Sequence, residues 1–134
     1  MTRIEPSSHL RAGHQLIGLL IDAALVLIFT IAGRSSHGEA VVSGLLTTAW
    51  PFLLGLLVGW SVTLAVGRGR LDAWRIRPAG LLAWAGTVGV GMVARVLAGQ
   101  GTAPTFIVVA GVVLALFLLA WRFAARRLAL RRTR

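Results

Sequence analysis

The sequence predicts an all-α integral membrane protein, a compact bundle of four transmembrane helices with both termini cytoplasmic. Three observations carry that expectation. Hydrophobic residues make up 57% of the 134, more than a soluble core of this size accommodates. Four separate apolar runs reach spanning length on a window of about 19 residues. The basic residues are all arginine and fall unevenly between the connections.

The runs cover roughly 16–32, 44–66, 79–97 and 105–121. Each crosses a hydrocarbon core of about 30 Å as a helix, the first and last with their flanks included. Period-2 alternation, the mark of a barrel, is missing. Residues 1–15 precede the bundle as a cytoplasmic segment and 122–134 follow it as a basic cytoplasmic tail. Thr30 and Ala32 loosely fit a cleavage pattern, but the long polar lead and Asp22 inside the first run read as a retained span.

Orientation follows from counting. The side shared by the termini and the central connection collects Arg3, Arg11, Arg68, Arg70, Arg75, Arg77, Arg122, Arg126, Arg127, Arg131, Arg132 and Arg134. The other side has Arg34 and Arg95 alone. That asymmetry predicts that both termini are cytoplasmic.

In the second run, "TTAWPF" leaves two readings of Pro51 open. The helix starts near a Thr48 cap, with proline in its opening turn, or it starts near Ser43 and bends at Pro51. The second frees backbone carbonyls one turn earlier, which protein or enclosed water must satisfy. Either way Trp50 falls at the outer interface. Gly55 and Gly59 form GxxxG, which lets another helix approach closely. In the third run Gly80, Thr87, Gly91 and Arg95 share a stripe beside Trp84. Both features fit packing inside the bundle, a dimer seam or a substrate wall. Four short helices rarely enclose a private pathway, so a homo-oligomer is expected.

The charges within the runs are the candidate site. An ionised carboxylate at Asp22 costs about 2.5 to 3.5 kcal/mol on insertion scales, so it needs a partner, water or neutrality. Trp84 and Arg122 are the donors expected at its depth. It serves as a structural anchor, as a carboxylate in a cytoplasmic vestibule, or as part of a proton or cation relay. At the outer end Arg34, Ser35, Ser36, His37, Glu39, Thr47, Thr48, Trp50, Arg95 and Thr105 converge. Two guanidiniums with hydroxyls and helix starts nearby suit a small anion or a phosphate headgroup; alternatively each arginine snorkels to the interface or pairs with Glu39.

Other chemistry is excluded or unsupported. With no cysteine there is no disulfide, thiol nucleophile or thiolate metal site. His9, His14 and His37 lack metal-ligand spacing, so no metal or cofactor is expected. No Walker loop, G-x-S-x-G, H-E-x-x-H or dinucleotide fingerprint occurs; no catalytic residue is assigned, and an enzyme is the least favoured class. The formal charge of +10 clusters beside the membrane rather than along an aromatic-studded surface, which points to anionic lipid and away from nucleic acid.

Asp22, "GRSSH" at 33–37, "TAWPF" with Gly55 and the "GW" at 59–60, "WAGTVGVGMVAR" at 84–95, "GTAPTF" at 101–106 and "WR" at 121–122 together resemble the membrane family DUF3054, a domain of unknown function. Thr105 and Ala120 depart from its pattern, where Ser and Gly are expected. The resemblance implies a small multi-spanning protein of a bacterial or archaeal plasma membrane and brings no activity, substrate or cofactor. Two functions remain in view: a transport or permeation unit for a small anionic solute, and a noncatalytic membrane subunit or scaffold that binds lipid or a partner membrane protein.

Overall fold

A backbone removed from water must satisfy its own polar groups, which favours helix wherever the chain is apolar for twenty residues or more. The computed structural model describes residues 8–68, 70 and 72–132. Its helices are α1 (Ser8–Ser36), α2 (Val41–Gly67), α3 (Leu81–Leu97) and α4 (Pro104–Arg132), and four stretches are long and apolar enough to cross a membrane: Arg11–Ser36, Val41–Gly67, Ile76–Leu97, which is α3 with the turn before it, and Pro104–Arg132. No strand occurs among the described residues. A π-type turn over Ile76–Gly80, with a cis bond between Arg77 and Pro78, leads directly into α3. Arg3 and Arg134, together with the rest of residues 1–7, lie outside the described residues.

The helices pack as a ring, each against its chain neighbours, with α1 closing on α4. Short connections impose this up-and-down order. Gly38 and Gly99 take positive φ just after α1 and α3, a backbone region open to glycine at little cost and a common way to end a helix. Arg68 ends α2 in the same region.

α2 and α3 form the tightest pair, because their facing surfaces lack side chains. A Cβ at Gly55 would stand 2.5 Å from the Gly86 carbonyl oxygen, and one at Gly59 2.5 Å from that of Leu82. Gly86 would in turn meet the Gly59 Cα at 2.6 Å. The backbones therefore touch, gaining dispersion and Cα–H···O contacts that any side chain would hold apart. Gly91 lies against Phe52 and Pro51 of α2 on the same face, and Thr87 is fully buried. Gly55, Gly59, Gly86, Thr87 and Gly91 are thus taken up within one chain.

Around this seam the core is aliphatic and aromatic: Val26, Phe29, Phe52, Leu56, Leu114 and Leu118 are buried together, with Phe29 edge-on to Phe52. The hydroxyls of Thr30, Thr63 and Thr87 donate to carbonyls four residues back, Val26, Gly59 and Ala83, so they enter the core without an unpaired donor. The outward faces stay apolar, with Val42, Leu46, Leu57, Val108 and Leu116 more than half exposed. Water disfavours such a surface; hydrocarbon does not.

Candidate functional site

Two polar clusters interrupt this apolar frame. The first is centred on Asp22, at the midpoint of α1 and fully buried. Arg122 of α4, also fully buried, meets it with both ends of its fork: Nη1 donates to Oδ1 at 2.9 Å and Nη2 to Oδ2 at 2.7 Å. Trp60 Nε1 from α2 donates to Oδ2 at 2.9 Å, and Trp121 Nε1 to Oδ1 at 2.7 Å. Four donors converge on one carboxylate and occupy its lone-pair sites.

Arg122 is matched almost as fully. Its Nε donates to the Ala73 carbonyl at 3.0 Å and its Nη1 also to the Leu118 carbonyl at 2.7 Å. The guanidinium carbon lies 4.6 Å from the Trp121 ring centroid. Further rings seal the cluster: Trp74 packs edge-on against Trp121, stacks on His14 and donates to the His14 carbonyl. Gly18 leaves room for Trp60, since a Cβ there would stand 3.2 Å from its ring. The cluster ties α1, α2, α4 and the segment before the π-type turn to a single ion pair. A forked pair with its remaining donors satisfied is the geometry in which burial of two charges is tolerated.

Of the two donors the sequence offered for Asp22, only Arg122 reaches it. Trp84 faces the other way and donates to the Gly111 carbonyl of α4 at 2.9 Å, so its role beside Asp22 is corrected to a tie between α3 and α4. Trp60 and Trp121 take the places that sequence reasoning missed. Their signal was present, as tryptophans on the same half of the bundle as Arg122, but the rotation of each helix decides which indole faces inward.

The second cluster lies at the opposite end. Arg34 closes the α1–α2 connection: Nε and Nη2 donate to the Ala40 carbonyl at 3.1 and 2.6 Å, and Nη1 donates to Thr48 Oγ1 at 2.8 Å and pairs with Glu39 at the same distance. Its guanidinium lies over Gly44, where a Cβ would overlap it. Arg95, nine-tenths buried, closes the α3–α4 connection: Nη1 donates to Gln100 Oε1 and Nη2 to the Gly101 carbonyl, both at 2.9 Å. Its guanidinium carbon stands 4.6 Å from the Phe106 centroid and 5.7 Å from that of Phe52, a cation held between two π faces.

Pro51 links the two arginines through α2. The helix starts at Val41 and runs through Pro51, so of the two sequence readings the start upstream of Pro51 describes it. Proline has no N–H for the carbonyl four residues back, which is that of Thr47. Gln100 Nε2 supplies the missing donor at 2.8 Å, and Arg95 holds Gln100 in place. Arg34 binds the next residue, Thr48. The arginines thus reach one turn of α2 from different connections, and their bonds go to different groups. His37 lies exposed in the turn after α1, and Trp50 is partly exposed on α2.

A model of the family described as a protein of unknown function, DUF3054, matches residues 19–125. The chain belongs to the DUF3054 family. The DUF3054 match takes in Asp22, Trp60, Trp121, Arg122 and the whole second cluster, leaves out Gly18 and His14, and ends before Arg126. No curated protein and no solved structure matches the chain. Among the described residues no group of His, Cys, Asp or Glu is placed to hold a metal ion.

Proposed function

We propose that this DUF3054 protein is a noncatalytic subunit of a bacterial or archaeal plasma membrane, with both termini cytoplasmic, that holds lipid and a partner membrane protein rather than conducting a solute by itself. One observation carries the reading. The charges that enter the apolar bundle are spent on the chain's own groups: Asp22 accepts four hydrogen bonds, and Arg122 and Arg34 are tied to carboxylates and carbonyls. A relay carboxylate needs a free lone pair for the travelling proton, and a substrate arginine needs free donors. What the chain offers outward is apolar helix surface, suited to acyl chains or to another helix.

One observation favours the alternative, permeation of a small anion. Arg95 Nε is buried without a hydrogen-bond partner, and an anion is one acceptor that fits a charged donor between two rings. Purified protein in vesicles separates the two readings. The subunit reading expects no halide or phosphate flux above empty vesicles and a stable partner recovered from native membranes. Flux that Arg95→Ala abolishes in a protein that still folds would establish permeation instead.

A further inference from the structure

The surface of α4 carries a feature that neither cluster uses. Val112, Leu116, Leu119, Ala120 and Phe123 line a groove of about 520 Å³ that Ile76 of the π-type turn closes on one side. Spacings of four, three and four residues from Val112 to Phe123 keep the stripe on one helical face for roughly 16 Å. The same face continues into Arg126 and Arg127, three and four residues beyond Phe123. The Arg127 guanidinium carbon lies 4.9 Å from the Phe123 ring centroid, at the end of the groove. Arg75 and Arg77 flank Ile76 in the chain and are exposed, Arg75 with its Nε 3.8 Å from Asp72 Oδ2.

We propose that this groove is a retained site for an anionic phospholipid, one acyl chain lying along Val112–Phe123 and the headgroup phosphate held by Arg126 and Arg127. The amphiphile matches the site at both ends. An apolar channel takes the chain, and guanidiniums at its mouth offer forked donors to phosphate oxygens. Phe123 fixes Arg127 by a cation–π contact, so less side-chain freedom is lost when the headgroup arrives. A second copy of this chain would bring its own arginine-rich tail to the same rim and suffer like-charge repulsion. The inference rests on the bilayer reading given above and is independent of whether a solute passes.

The test uses the full chain in mild detergent with an equimolar mixture of phosphatidylglycerol and phosphatidylcholine, read by native mass spectrometry. Wild type retains phosphatidylglycerol about tenfold over phosphatidylcholine, a preference two juxtamembrane arginines can supply. The Arg126→Gln/Arg127→Gln variant loses the preference. Ala120→Phe, which fills an exposed groove position, loses the bound lipid while melting like wild type. Inorganic phosphate at equal concentration does not displace it. Equal retention of both lipids, an unchanged preference without the arginines, lipid kept in Ala120→Phe, displacement by phosphate alone, or a dimer mass indifferent to lipid would each overturn the site. Flotation with pure phosphatidylcholine vesicles separates the failures: protein that floats but shows no preference overturns the site alone, and protein that does not float overturns the bilayer reading.

Discussion

Asp22 and Arg122 are the two residues on which the interior depends most. Each is fully buried, and each is stabilised chiefly by the other, so removing one strands a charge in an apolar interior. Breaking such a pair costs about 3 to 5 kcal/mol, whereas replacing both members together can be far less damaging. Asp22→Asn is therefore expected to destabilise by that amount in reversible unfolding, because the new amide also points donors at donors. Arg122→Lys recovers charge but not the fork and remains well below wild type. Asp22→Leu combined with Arg122→Leu is less destabilising than the sum of the two single changes. An Asp22→Asn variant within about 0.5 kcal/mol of wild type, the range of ordinary surface changes, would mean that the pair does not hold the bundle. Trp60→Phe and Trp121→Phe each remove one charge-assisted bond and are expected to cost about 1.5 to 3 kcal/mol.

At the scale of the element, α2 shows how a helix keeps a proline without a loose carbonyl. The Thr47 oxygen lost its helical donor to Pro51 and regained one from Gln100, held by Arg95. This makes a coupling prediction. Gln100→Ala should cost about 0.5 to 1.5 kcal/mol more in wild type than in Pro51→Ala, because it takes the Arg95 bond away in both, while in Pro51→Ala the residue-51 N–H again serves Thr47. Thermal melts of the four proteins give the coupling energy directly, and simple additivity would show that Gln100 stabilises by some other route. The same helix marks what sequence can and cannot convey. Its span was legible because a long apolar run is a one-dimensional signal, and Pro51 announced a free carbonyl in advance. The donor was not legible, because it comes from a loop 53 residues away. Likewise the depth of Asp22 pointed to Arg122, while the choice of Trp60 and Trp121 over Trp84 depended on how far each helix is turned about its axis, and helices apolar on nearly every face do not encode that turn.

At the scale of the molecule, the internal use of small residues bears on assembly. Gly55, Gly59, Thr87 and Gly91 had the composition of a seam between two chains, but they close α2 against α3 within one. A second copy, if the protein associates with itself, has to dock on the outward aliphatic faces instead. The distinction shows in concentration dependence, since stability that comes from an interface between chains falls on dilution by mass action. A leucine at Gly55 forces side-chain atoms into the Gly86 and Thr87 backbone, an overpacking expected to cost about 1 to 3 kcal/mol or more. Its melting temperature should therefore lie below wild type by the same margin at every protein-to-detergent ratio, while Gly89→Ala, where a Cβ meets nothing within 4 Å, melts no lower than wild type. A Gly55→Leu deficit that disappears as wild type is diluted would return the glycines to an interface between subunits, because only then does wild type lose the same contact that leucine blocks.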